Sequence, residues 1–126
     1  MHLLNVMILA RDYKRTVAWY KKVLGLKTKL VVAEGFDYTT LARPGLTLGV
    51  TPAKQMRVKP PKSRANNPVL MQLHVSDVRG FMKRVERSGG RILFGPGQDT
   101  HKGKSYGYGA VADIEGNPIW VVDLRE

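Results

Sequence analysis

Gln72 and His74 stand two residues apart in an apolar stretch, the spacing that puts both side chains on one side of a strand. Imidazole changes charge near neutral pH, so His74 is the polar residue best suited to contact a ligand or move a proton. The competing role for it is a structural histidine hydrogen-bonded to the backbone. Trp120 offers a flat ring that can stack on a planar molecule or pack against apolar carbon. Tyr38, Tyr106 and Tyr108 add phenol donors, or serve as strand packing, where aromatic residues are common. His2 lies at the terminus and His101 in a glycine-flanked stretch, so neither forms a ligand pair by spacing. The glycines between 103 and 109 do not follow a strand and open a helix, as a phosphate loop requires. Ser63, Ser76, Ser88 and Ser105 have no His and Asp partner that spacing would identify. The chain has no cysteine, which excludes a thiolate nucleophile, a disulfide framework and a zinc-thiolate site.

Positioning these side chains requires a scaffold, and the sequence contains it twice. Residues 6–27 and 71–92 can be laid over one another without a gap, and each half then runs through strand-like segments to a turn and a last strand. In each copy an apolar strand leads to an aspartate, Asp12 or Asp77, placed to accept hydrogen bonds from the free N–H groups of a helix's first turn. The first helix should bury Tyr13, Val17, Tyr20 and Leu24 and expose Lys14, Arg15, Lys21 and Lys22. The second should bury Val78, Phe81, Met82 and Val85 and expose Arg79, Lys83, Arg84 and Arg87. Gly25 and Gly90 are placed to end the helices at positive φ. Strands are expected over 3–10, 27–32, 37–42, 46–51, 70–75, 91–94, 107–113 and 118–124. Eight strands and two helices give an α+β fold of two tandem β-α-β-β-β modules. Module one covers 1–51 and module two 69–126. The proline-rich, basic stretch 52–68 reads as a linker, and 95–106 as a loop bordering a cavity.

At 126 residues the chain suits a single domain, and its 43% hydrophobic and 25% charged residues are those of an ordinary globular protein. No apolar run reaches the length of a spanning helix, and no secretory signal is visible, so the expected location is the cytoplasm, away from membrane. Twenty-one Lys and Arg against ten Asp and Glu leave a formal charge of +11, which favours anionic partners. The cations are spread over two helices and two loops rather than one run. This favours a solvated basic surface around a small-molecule pocket over a nucleic-acid-binding protein.

Residues 6–25, with Asp12, Trp19-Tyr20 and Val23-Leu24-Gly25, resemble the opening of a vicinal oxygen chelate domain. This superfamily includes the glyoxalases, bleomycin-resistance proteins and extradiol dioxygenases. Residues 108–120, with the turn Asp113-Ile114-Glu115-Gly116-Asn117 before a final strand, are similar to the family's last hairpin. The resemblance implies a cup-shaped, eight-stranded mixed sheet with helices on its outer face and a ligand on its concave side. It also implies, in the enzymes, one divalent metal held by a His, Gln or Glu in each module's first strand and a Glu or similar residue in each last strand. Counted from the capping aspartates and the turn glycines, those positions here are Asn5, Leu70, Gly49 and Trp120. Leu70, Gly49 and Trp120 offer no side-chain ligand, and Asn5 is a neutral, weak one, whereas a divalent ion needs several converging N or O donors.

The expectation is therefore a metal-independent binding protein with no cofactor. It would hold a neutral or anionic organic ligand among Asn5, Met7, Thr47, Tyr38, Gln72, His74, Tyr108 and Trp120. The first alternative is a metal-dependent lyase, isomerase, transferase or dioxygenase with Gln72 and His74 as displaced ligands, and the second a basic nucleic-acid-associated protein. The resemblance further implies a homodimer, and the linker is long enough to let modules exchange.

Overall fold

The computed structural model describes residues 1, 3–33, 37–56 and 71–123. They fall into two compact units, Met1–Lys62 and Ser63–Glu126, each with the same order of elements. The first unit contains β1 (Val6–Ala10), α1 (Tyr13–Val23), β2 (Lys27–Val32), β3 (Tyr38–Arg43) and β4 (Leu46–Pro52). The second contains β5 (Met71–His74), α2 (Val78–Arg87), β6 (Arg91–His101), β7 (Lys104–Ala112) and β8 (Pro118–Val122). The tandem β-α-β-β-β order read from the repeat is the order found, as two four-stranded mixed sheets with strand orders β1-β4-β3-β2 and β5-β8-β7-β6. In each unit the first strand pairs in parallel with the last, and the remaining pairings are antiparallel.

One face of each sheet is closed by its helix. In the second unit Val78, Phe81, Met82 and Val85 are the buried side of α2, as the spacing predicts, and Val111, Ile119 and Val121 of the sheet are fully buried. Gly109 in β7 leaves room for the Met82 thioether, which lies where a Cβ would be. In the first unit the buried side of α1 is Thr16, Trp19, Tyr20 and Val23, with Leu24 as the C-cap. Tyr13 and Val17, expected inside, are only half-buried. The stripe is rotated because Trp19, the larger group, takes the interior and meets Tyr20 edge-on at 5.0 Å. Tyr13 instead turns its phenol to the Thr39 hydroxyl of β3.

Both N-caps form as read: Asp12 Oδ1 accepts from the Arg15 N–H at 3.2 Å, and Asp77 Oδ1 from the Gly80 N–H at 3.0 Å. At the other ends, Gly25 has φ +66°, and Arg43 Nη1 donates to the Leu24 carbonyl at 2.9 Å, bringing a cation to the negative end of α1. For α2 the positive φ falls on Gly89, at +91°, rather than on Gly90. Gly90 is needed for a different reason: its Cβ would strike Val85 and come within 2.7 Å of the Ala112 carbonyl.

Regular structure occupies one stretch expected to be irregular and the described start of another. Residues 95–106, read as a loop, belong to a hairpin in which β6 and β7 pair from Arg91↔Ala112 out to His101↔Lys104. Bulges between Ile92 and Gly97, where a cis Gly95-Pro96 bond sits, interrupt the alternation and hide the strand from a periodicity reading. Its turn is the pair Lys102 and Gly103 at φ 50° and 76°, both positive as a two-residue type I′ connection requires. Of the stretch read as a linker, Pro52 closes β4 and Ala53–Met56 form a 3-10 turn that buries Ala53. Gln55 in that turn donates to the Asp37 carbonyl at 2.9 Å and accepts from the Asp37 N–H at 3.0 Å, fixing the entry to β3. Residues 57–68 lie outside the described residues, as do His2 and Leu70.

Candidate functional site

The face of the second sheet away from α2 carries a group of aromatic rings. Strand register puts Gln72, Trp120, Ala110 and Phe94 in one row across β5, β8, β7 and β6, and His74, Val122, Tyr108 and Gly97 in the next. Partners in a row share a face, and the opposite face is the one α2 covers. Trp120 and Tyr108 stack at 5.8 Å with 7° between their planes, and Phe94 meets the Trp120 ring edge-on at 5.3 Å. Tyr106 extends the series, 6.3 Å from Tyr108.

Small residues make this arrangement possible. Ala110, between Trp120 and Phe94 in the row, leaves space for the two rings to meet above it. Gly97 does the same for Tyr108, whose Cζ and Oη would lie 2.7 Å from a Cβ at that position. Trp120 and Tyr108 are half-buried, while Phe94 remains 45% exposed, so ring surface is available to a ligand. Partial burial, then the Asp99 carboxylate across the hairpin, raise the Tyr106 phenol above its ordinary value. Tyr106 is therefore a hydrogen-bond donor at neutral pH. Gln72 and His74 are exposed at the β5 edge of the same face.

The face of the first sheet away from α1 bears Asn5, Met7, Tyr38, Thr40, Thr47 and Gly49 by register and alternation. The Met7 side chain lies across Gly49, where its sulfur takes the place of a Cβ, and Asn5 Oδ1 would be 3.1 Å from that Cβ. Thr51 is fully buried, donating from its hydroxyl to the Asp37 carbonyl at 2.7 Å and accepting from Gln55 Nε2 at 3.2 Å, so it supports the strand.

The structure thus brings Gln72, His74, Tyr108 and Trp120 to one face, and Asn5, Met7, Thr47 and Tyr38 to another, each within its own unit. Sequence reasoning missed Phe94, Gly97 and Ala110. The register of Ala110 against Trp120 was implicit in the expected final hairpin, but the bulged approach to Gly97 left no periodic signal.

The metal implied by the family resemblance does not fit these residues. A thioether fills the space over Gly49, the Trp120 ring is held in a stack, and thioether and indole carbon are poor ligands for a hard divalent ion. Among the described residues no three His, Asp or Glu side chains gather at one point.

Known structures share the fold over nearly the whole chain. A hypothetical protein from S. aureus is 15% identical, with a TM-score of 0.77 over 98% of this chain and 95% of its own. A glyoxalase/bleomycin resistance protein/dioxygenase family enzyme from Burkholderia phytofirmans is 15% identical, with a TM-score of 0.73 over 94% of both chains. An integron cassette protein from V. cholerae is 23% identical, with a TM-score of 0.65 over 97% of this chain and 94% of its own. No curated protein matches the sequence. The family model matches residues 2–121, and with the same fold in these structures, the chain belongs to the Glyoxalase/Bleomycin resistance protein/Dioxygenase superfamily.

Proposed function

We propose that this chain is a metal-independent binding protein that holds a planar, neutral or anionic organic molecule against the aromatic face of its second sheet. The observation that carries the reading is the Trp120–Tyr108 stack with Phe94 set edge-on to it. Such a group presents both ring faces and ring edges, the two geometries in which aromatic systems attract. Tyr106 supplies a phenol oxygen beside it, and His74 and Gln72 supply polar contacts at the sheet edge. The formal charge of +11 repels cations at long range and draws anions in, which selects the sign of the ligand.

The test uses a matched pair of planar probes, 2-naphthoate and N-methylquinolinium. A Trp19→Phe background leaves Trp120 as the sole tryptophan reporter. Naphthoate should quench Trp120 emission and bind more tightly than the quinolinium. Trp120→Ala should weaken naphthoate binding about tenfold, corresponding to ~1.4 kcal/mol, as read by calorimetry. Equal affinity for the two probes, or unchanged binding in the alanine variant, would refute the reading. Stoichiometric metal in protein purified without chelators, lost on His74→Ala, would replace it with the metal-dependent enzyme.

The same reading includes a homodimer in the cytoplasm. Its support is the exposed apolar run at the start of the first unit, where Leu3 and Leu4 are 78% and 77% exposed and Val6 44%. No helix among the described residues is long and apolar enough to cross a membrane.

A further inference from the structure

We propose that the outer face of α2 binds the sugar-phosphate backbone of nucleic acid. Arg79, Lys83 and Arg87 recur at every fourth residue of this helix, all exposed, with Arg84 beside them. The spacing sets their side chains in one row, each about 6 Å further along the helix axis than the last. Val78, Phe81, Met82 and Val85 occupy the opposite side, buried against the sheet, and Glu86 is the only acidic residue within the helix.

Like charges four residues apart repel, so the row raises the free energy of the helix on its own. A linear polyanion laid along it reverses that sign. The first unit also keeps its helix cations outside, though not at that spacing: Lys14, Arg15, Lys21 and Lys22 lie exposed on α1, away from Thr16, Trp19, Tyr20 and Val23, and no acidic residue occurs within the helix. Cations that are scattered in the sequence are therefore gathered by the fold onto helix faces.

The chemistry of the row selects the partner. A membrane surface is recognised by helices that also offer apolar side chains for insertion, and the apolar side of α2 is already in the core. A row of guanidinium and ammonium groups at regular steps matches a regular array of phosphates. The regular step of the row follows the phosphate array, which is the same for every base sequence, so the binding is independent of sequence. It uses the helix-bearing side of the second sheet and is independent of the ring site proposed above.

The experiment is fluorescence anisotropy with a labelled duplex DNA of random sequence, titrated at salt concentrations between about 50 and 200 mM. Wild-type affinity should fall steeply with salt. The variant R79Q/K83Q/R87Q should reduce the slope of log K against log salt by about 2.7, about 0.9 for each phosphate that is no longer neutralised. The charge-conserving R79K/R87K should keep the wild-type slope, and circular dichroism establishes that each variant is folded. If the triple variant is not, K83Q alone should reduce the slope by about 0.9. A triple variant with the wild-type slope, or wild-type protein that prefers phosphatidylglycerol vesicles to the duplex, would overturn the proposal.

Discussion

Asp113 is 3% exposed, an expensive place for a carboxylate unless its oxygens are occupied. They are: Oδ1 accepts from the backbone N–H groups of Glu115 and Asn117 at 2.8 and 2.7 Å, and Oδ2 from Asn117 Nδ2 at 2.8 Å. The Asp113 N–H donates to the Asn117 carbonyl, and Gly116 takes the positive φ, +89°, that closes the turn. This is why the Asp-x-x-Gly-Asn sequence fixes the register of β8, and with it the position of Trp120. Asp113→Ala leaves three donors without their acceptor. It should cost about 3 kcal/mol, since hydrogen bonds to charged groups contribute about 1.5–3 kcal/mol each and the turn relaxes in part. Urea unfolding measures it, and a loss under about 1 kcal/mol would mean the turn is held by something else.

At the scale of elements, the N-terminus of α2 joins two choices that look unrelated in sequence. Asp77 caps the helix, and its carboxylate lies so close over Gly80 that a Cβ there would meet it. Glycine inside a helix ordinarily costs about 1 kcal/mol relative to alanine, so here it makes way for the cap. Asp77→Ala should lose about 1 kcal/mol. Gly80→Ala should destabilise the wild type but stabilise the Asp77→Ala protein, a change of sign that a double-mutant cycle of unfolding free energies detects. Additive effects would show that the two residues do not compete.

Much at this scale was legible beforehand. The N-caps, the buried side of α2, β2 at its observed bounds and the module order all follow from local signals that the tertiary structure leaves intact. The rotated stripe of α1 was not legible, because helical spacing does not say whether Tyr13 or Trp19 takes the interior. The hairpin arm escaped because its register shifts twice before Gly97. The ring group was half legible: Trp120 and Tyr108 stand out by type, while Phe94 joins them only through the register that those shifts set.

For the molecule as a whole, the apolar residues that no described element covers bear on assembly. Leu3, Leu4 and Val6, on and just before the edge strand β1, are exposed. Contiguous exposed apolar surface marks interaction sites more often than scattered single residues do. Sedimentation velocity should therefore give twice the chain mass of 14.1 kDa at micromolar concentration. Leu3→Lys together with Leu4→Lys should shift the population to monomer without loss of secondary structure. A wild-type protein that stays at the chain mass would remove the homodimer from the proposed function.

The parallel pairing of first strand with last sets the order in which each half can be completed during synthesis. Val6 finds its neighbour in Leu48, and Met71 in Ile119. A chain still emerging from the ribosome thus holds β1 without a strand beside it until β4 has been made, though α1, β2 and β3 are already out. Pairings so distant along the chain form slowly, and an unpaired apolar strand is prone to join the wrong neighbour. A chain stopped just before β4, or before β8, would carry that liability permanently.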